Sequence, residues 1–305
     1  MKQTKKKMVW LVAFLAVGSI QAFAKPFAEG PYLGQTPPGP IAQVFAPGLI
    51  SDTRPHQGET WGSFSADGNT FCFSQRGYVF VTENTDQGWT VPKQIKSIPY
   101  KTAYCCLSLD ANSIYFISCY DPSPRYDLFR CQRTSDGWST PQELGPSLSS
   151  PAREHGISLA ANNSIYFFRS KRGAGGSGGR IFYAPFVGNT WPRAEHVSLN
   201  THYKAADPGI APDESFMVFI AKDLPGGYGH MDLYLTLRLP DGTWSKPRNL
   251  GPRINSAYIE HGPRISPDKK YLFFTRANGW WENSSRDTSD IYWVELKEYL
   301  PESHR

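Results

Sequence analysis

The chain carries almost no surplus of charge once its first 24 residues are set aside. Those residues hold Lys2, Lys5, Lys6 and Lys7 and no acid, so Lys plus Arg falls from 32 to 28 against 27 Asp plus Glu. A near-neutral body implies neither a basic face for nucleic acid nor an acidic tail. Also missing is any HxxxH or paired Cys/His spacing, so no metal and no cofactor is expected. The glycine-rich run AGGSGG at 174–179 does not follow a strand into a helix, which argues against a phosphate-binding loop and for a rim segment. Cysteine is scarce and odd in number, five in all. In an exported protein at least one thiol is then free or joined between chains, and none stands where a bacterial lipid attachment needs it.

What is present begins with MKQTKKKMVWLVAFLAVGSIQAFA, a lysine-rich start, an apolar middle and small residues at Ala22 and Ala24. This reads as a secretory signal peptide cleaved before Lys25, which places the mature protein in the periplasm or outside the cell with no remaining membrane span. The alternative is an uncleaved anchor, for which the apolar run from Met8 is marginal in length. Residues 25–40 are expected as a linker and 41–305 as one domain, a size that a closed all-β ring reaches as a single unit.

Five times the chain repeats a turn followed by an aromatic strand: SADGNTFCF at Ser65, SLDANSIYF at Ser108, LAANNSIYF at Leu159, APDESFMVF at Ala211 and SPDKKYLFF at Ser266. The turns recur every 43 to 55 residues, a period that with short strands indicates propeller blades. A third strand follows at Tyr78, Asp127, Arg180, Asp232 and Asp290, and a tryptophan ahead of a proline marks an outer strand at Trp89, Trp138, Trp191 and Trp244. The fold expected is all-β, a five-bladed propeller of four-stranded antiparallel blades, with six blades as the alternative. The fifth copy lacks its outer strand, and IAQVFAPGLIS at 41–51 resembles PQELGPSLSS at 141–150 and PRNLGPRINS at 247–256. The N-terminal segment is therefore expected to complete the last blade and remove an unpaired edge.

Side chains alternate along a strand, so Tyr271 and Phe273 face one way and Leu272 and Phe274 the other, both rows buried between blades. The four tryptophans read as packing residues: burying ~150 Å² of indole at ~25 cal/mol/Å² favours folding by up to roughly 4 kcal/mol. Cys105 and Cys106 point to opposite faces of one strand, and Cys131 is expected opposite Tyr115 rather than Cys119. The cysteines read mostly as buried thiols, with a bond from Cys72 to Cys105 or Cys106 as the alternative.

SPDKKYLFFT with DIYWV, PDESFMVF with DLYLT, and GTWSKPRNLGPRIN resemble the WD40-like (PDG-type) repeat of exported bacterial propellers, the TolB type. GGYGHMDLY at 226–234 is similar to that family's loop into the third strand. The resemblance covers about Pro31 to Leu296 and implies a propeller and an exported location, with little about substrate. It departs from TolB in having five repeats rather than six blades, and no room for an extra domain between Lys25 and Ile41.

In such blades the start of the inner strand and the loop between the second and third strands share one face of the disk. That groups Glu59 and Trp61, Tyr104, Glu154 and His155, Asp207, and Glu260 and His261 as a ring over the channel, with Arg169, Lys171, Arg172, Lys222, Arg276, Trp280 and Trp281 outside it. Carboxylate with imidazole suits acid/base chemistry or a divalent metal, and Arg with Trp suits sugars or acidic groups. The competing reading is that Glu and His recur because the repeat does, capping strand ends. The function expected is a binding or scaffold module for an envelope protein or glycan. The alternative is a carbohydrate- or peptide-active hydrolase or lyase using the channel mouth.

Overall fold

β-branched and aromatic residues fill the repeated segments, and each becomes a strand. The computed structural model describes residues 27–51, 58–98, 102–118, 126–170, 179–199, 204–222, 224, 226–278 and 288–305. The signal-peptide expectation for residues 1–24 lies outside them, as do Lys171, Arg172, Trp280 and Trp281. Blade 1 comprises Glu59–Phe64, Thr70–Gln75 and Tyr78–Thr85; blade 2, Thr102–Leu107, Ser113–Ser118 and Asp127–Thr134. Blade 3 comprises Arg153–Leu159, Ile165–Ser170 and Arg180–Ala184; blade 4, Ala205–Ile210, Phe216–Ala221 and Asp232–Leu237; blade 5, Ile259–Ile265, Tyr271–Ala277 and Ser289–Glu295. Each blade adds a two-residue outer strand: Lys93–Gln94, Gln142–Glu143, Glu195–His196, Arg248–Asn249 and, for blade 5, Gln43–Val44. All strand pairs within the blades are antiparallel, and the molecule is a five-bladed β-propeller. Among the described residues the helical pieces are two short 3-10 turns, Pro31–Gly34 and Glu302–His304.

The N-terminal strand closes the ring as expected, Gln43 pairing with Trp293 and Val44 with Tyr292. The backbone N–H of Phe45 extends the ladder to Ile291 O at 2.7 Å. Residues expected as a linker contribute Tyr32 and Leu33 to the apolar layer between blades 5 and 1, beside Phe45, Phe71, Phe273 and Trp293. One difference concerns the outer strands, which lie just after the Trp-Pro signal and not on it. Gly88–Trp89 and Gly137–Trp138 only extend the hairpins of blades 1 and 2, because the following proline has no N–H to donate to a ladder. Trp89, Trp191 and Trp244 are buried, whereas Trp138 is half-buried beneath the Arg133 guanidinium at 4.7 Å.

Five apolar layers, one between each pair of neighbouring blades, make up the core. Tyr271 and Phe273 join the layer toward blade 1, and Leu272 and Phe274 the layer toward blade 4, as period-2 alternation requires. Cys105 lies in the blade 1–2 layer and Cys106 in the blade 2–3 layer. Cys131 pairs with Ile114, one residue from the register expected, and Tyr115 faces Arg130 instead.

The aspartates of the repeat build the hairpin turns on the far side of the disk. In blade 1 Asp67 Oδ1 accepts from Ser65 Oγ at 2.5 Å and from the Asn69 N–H at 3.0 Å. The same device recurs at Asp110 and Asp268. Each turn places one residue in the left-handed region: Gly68, Ala111, Asn163, Glu214 and Lys269.

Candidate functional site at the centre of the ring

All five inner strands break register at one equivalent point, and each break puts a residue at positive φ: Trp61 (62°), Tyr104 (61°), Gly156 (54°), Asp207 (45°) and Gly262 (62°). A β-bulge of this kind re-aims side chains. Left-handed backbone is costly for a bulky residue and is held only where its surroundings determine it. The two glycines show what does so. A Cβ on Gly156 would stand 2.6 Å from Asp207 Oδ1, and one on Gly262 would stand 2.9 Å from the Trp61 ring. Each glycine thus makes room for the large residue of the following blade.

Those residues close the centre. Trp61 and Tyr104 meet at 4.4 Å between ring centroids, and His261 packs against Trp61 at 5.5 Å. His155 Nδ1 lies 3.2 Å from the Tyr104 hydroxyl, and its ring stacks on Tyr126 at 5.6 Å. Arg264 of blade 5 reaches across the axis, Nη2 donating to Cys105 O of blade 2 at 3.4 Å while its guanidinium lies 5.0 Å from the centre of the Trp61 ring.

Burial sets the ionisation here. It raises the Asp207 carboxyl to about 7, although Arg264 and a hydrogen bond from the Gly262 N–H pull the other way. It lowers His155 to about 4, helped by the positive charge of Arg153, and His261 to about 4 by desolvation alone.

The three glutamates do not join this cluster. Glu59, Glu154 and Glu260 are 0 % exposed and face their own blades. Glu154 Oε1 accepts from Arg169 Nε at 2.8 Å and Ser150 Oγ at 2.7 Å, while Arg169 Nη2 donates to Leu148 O. Blade 5 repeats the clamp: Glu260 Oε1 with Arg276 Nε at 2.8 Å and Ser256 Oγ at 2.5 Å, and Arg276 Nη2 with Ile254 O. Both arginines lie against third-strand rings, Phe182 at 4.7 Å and Tyr292 at 4.3 Å. Blade 1 has Gln75 in the arginine position, bonded to Glu59 at 2.5 Å. Burial pushes the Glu154 and Glu260 carboxyls up, and their serine and arginine partners pull them part of the way back.

Of the residues grouped from sequence, the structure therefore brings Trp61, Tyr104, His155, Asp207 and His261 together at the centre. It separates Glu59, Glu154 and Glu260 into three blade-locked clamps. Arg169 and Arg276 are in second strands, not on loops, because their guanidiniums serve those clamps. Lys222 is exposed just past the second strand of blade 4.

Sequence reasoning missed Arg264, Tyr126 and Arg153, the last with its guanidinium 5.3 Å from the centre of the Tyr126 ring. It also missed Tyr228 and Tyr258, 47 % and 51 % exposed, on neighbouring loops of blades 4 and 5. Asp232 fixes the first of these loops, accepting from the backbone N–H groups of Tyr228 at 2.7 Å and Gly229 at 3.1 Å. The signal for Arg264 was available: its counterparts in the repeat are Ser63, Cys106, Ser158 and Gly209.

The architecture defines the class, a five-bladed β-propeller. No family model matches the chain, and no curated protein matches it. Solved structures do. A putative TolB from Agrobacterium tumefaciens superposes with a TM-score of 0.51 at 14% identity, covering 72% of this chain and 70% of that one. A thermostable family-43 glycoside hydrolase gives 0.50 at 10%, covering 79% and 91%. An α-L-arabinofuranosidase from Podospora anserina, in complex with cellotriose, gives 0.50 at 10%, covering 85% and 97%. At these identities the likeness is one of fold. The five-bladed propeller expected from the repeat is there, and a TolB propeller is among the structures it resembles, while the WD40-like repeat assignment is matched by no family model.

Proposed function

We propose that the protein is an exported β-propeller, periplasmic or secreted, that binds an envelope protein or a glycan through the face carrying the inner-strand starts. The observation that carries this reading is the exposed pair Tyr228 and Tyr258 on that face. Tyrosine and tryptophan are the residues that dominate binding surfaces, supplying large rigid contact area with a polar tip. The glutamates beneath are committed to their own arginine or glutamine, and Trp61 packs against both Tyr104 and Arg264. The export part of the reading is supported by the lysine-rich, apolar N-terminus. Among the described residues no helix is long and apolar enough to cross a membrane.

The test is a binding measurement on immobilised full-length protein against envelope polysaccharides and envelope extracts, with Tyr228→Ala and Tyr258→Ala in parallel. Both side chains are solvated, so the variants keep their fold. A loss of about tenfold or more in affinity is expected for each, and unchanged capture by both would overturn the loop-face site.

A second reading, a carbohydrate- or peptide-active hydrolase, rests on Asp207, a buried carboxyl raised to about 7 at a left-handed position. It requires turnover of a glycan or peptide that Asp207→Asn abolishes without unfolding the protein.

A further inference from the structure

Cys72 and Cys105 lie in one apolar layer at the boundary between blades 1 and 2, both fully buried. Cys72 sits on the second strand of blade 1, two residues before Ser74 and so on the same side. Ser74 Oγ donates to Cys105 Sγ at 3.3 Å, and the Cys105 thiol lies 3.5 Å from Trp61 O. Cys106, the next residue, turns into the layer between blades 2 and 3. The alternation of one strand therefore selects Cys105 over Cys106 as the partner of Cys72. From this juxtaposition we propose that Cys72 and Cys105 are a disulfide-forming pair, a covalent staple between blades 1 and 2 set beside the left-handed residues Trp61 and Tyr104.

In the closed ring burial pushes the Cys105 thiol up, but the neighbouring Cys72 thiol, the Ser74 donor and the charge of Arg264 hold it below its ordinary value. The neighbouring Cys105 sulfur and burial push Cys72 well above its own. Either thiol can open the exchange before burial and Arg264 are in place; on the Cys105 route that thiolate attacks first. It attacks one sulfur of an external disulfide, either a disulfide-carrying oxidase or oxidised glutathione, forming a mixed disulfide and releasing one carrier thiol. Cys72 gives up its proton and attacks the Cys105 sulfur, releasing the second carrier thiol. The two cysteines lose two electrons and two protons, and the carrier is reduced to two thiols. Because both sulfurs are buried in the closed ring, the exchange occurs while the blades are still assembling. The export reading enters only as the source of an oxidising compartment.

The full chain is to be unfolded, refolded in a buffer of oxidised and reduced glutathione, alkylated and digested. The expected product is a peptide pair linking Cys72 to Cys105, with the other cysteines alkylated and the melting temperature roughly 5–10 °C above that of the reduced protein. Cys106→Ser is expected to leave the linked pair unchanged, and Cys105→Ser to abolish it. Full alkylation of Cys72 and Cys105 in refolded protein, or linkage of Cys72 to Cys106 or Cys131, would overturn the proposal. The N-terminal residue of the protein expressed with its leader tests export separately. Lys25 at the N-terminus with both thiols free sinks the staple and keeps export, and a linked pair on a chain with an intact leader does the reverse.

Discussion

Blades 3 and 5 open with the same tripeptide, Glu154-His155-Gly156 and Glu260-His261-Gly262, and put it to different ends. The glutamates behave alike, each in a serine-arginine clamp of matching distances. The histidines do not. His155 is half-buried and bonded to Tyr104 of the preceding blade, whereas His261 is buried against Trp61 of the following one. Two residues beyond each glycine the blades part company: Ser158 accepts the Ile210 N–H of blade 4 at 3.1 Å, and Arg264 crosses the axis. Identical local sequence thus fixes whatever a blade completes by itself. Whatever depends on a neighbour is decided by that neighbour's side chains.

The comparison breaks most visibly if the two clamps prove unequal. Glu154→Ala and Glu260→Ala each leave a largely buried arginine unpaired and are expected to destabilise by about 3–5 kcal/mol, equally within roughly 1 kcal/mol, in chemical denaturation. A large effect in one blade only would show that the matching distances conceal different energetics.

The crossing arginine comes next. A double-mutant cycle of Arg264→Met and Asp207→Asn is expected to show a coupling of about 1 kcal/mol or more. In Arg264→Met alone the Asp207 carboxyl should titrate above its present value of about 7, followed by NMR. An Asp207 titration that stays put would mean the arginine contributes packing without charge.

The pH dependence divides the centre by sign. His155 and His261, depressed from 6.5 to about 4, contribute stability that is present above 6.5 and lost as pH falls through 4. Asp207, raised from 3.8 to about 7, contributes stability that is present below 3.8 and lost as pH rises through 7. The two slopes oppose each other between about pH 4 and 6.5. In melting curves across that range Asp207→Asn should therefore lose stability on acidification more steeply than the parent, and His261→Phe less steeply. The smallest effect is expected for Ser158→Ala, about 1 kcal/mol for an inter-blade N–H left without its acceptor.

Much of the fold was legible because the propeller repeats its local chemistry. Tyr271 to Phe274 alternate between two buried layers, the aspartates close like turns, and 41–51 resembles the segments that follow Trp138 and Trp244. What depended on the angle between blades was not legible. Grouping Glu59, Glu154 and Glu260 with His155 and His261 treated neighbours in sequence as neighbours in space, but successive residues of a strand point apart, so each glutamate faces its own arginine or glutamine. Arg264 escaped notice for the complementary reason. The repeat marks it as the odd residue at its position, but its partners, Cys105 O and Trp61, belong to other blades, and the repeat does not say where it reaches.

The pairing of Gln43–Val44 with Ser289–Glu295 has a kinetic consequence. It joins segments from opposite ends of the described chain, so its formation carries a large loop-closure entropy and a high contact order. A chain emerging N-terminus first would hold its closing strand unpaired until the last blade was delivered. Refolding should therefore end in a slow step in which the ring locks. Until then blade 5 has an open edge, the state in which strands of separate molecules pair most readily.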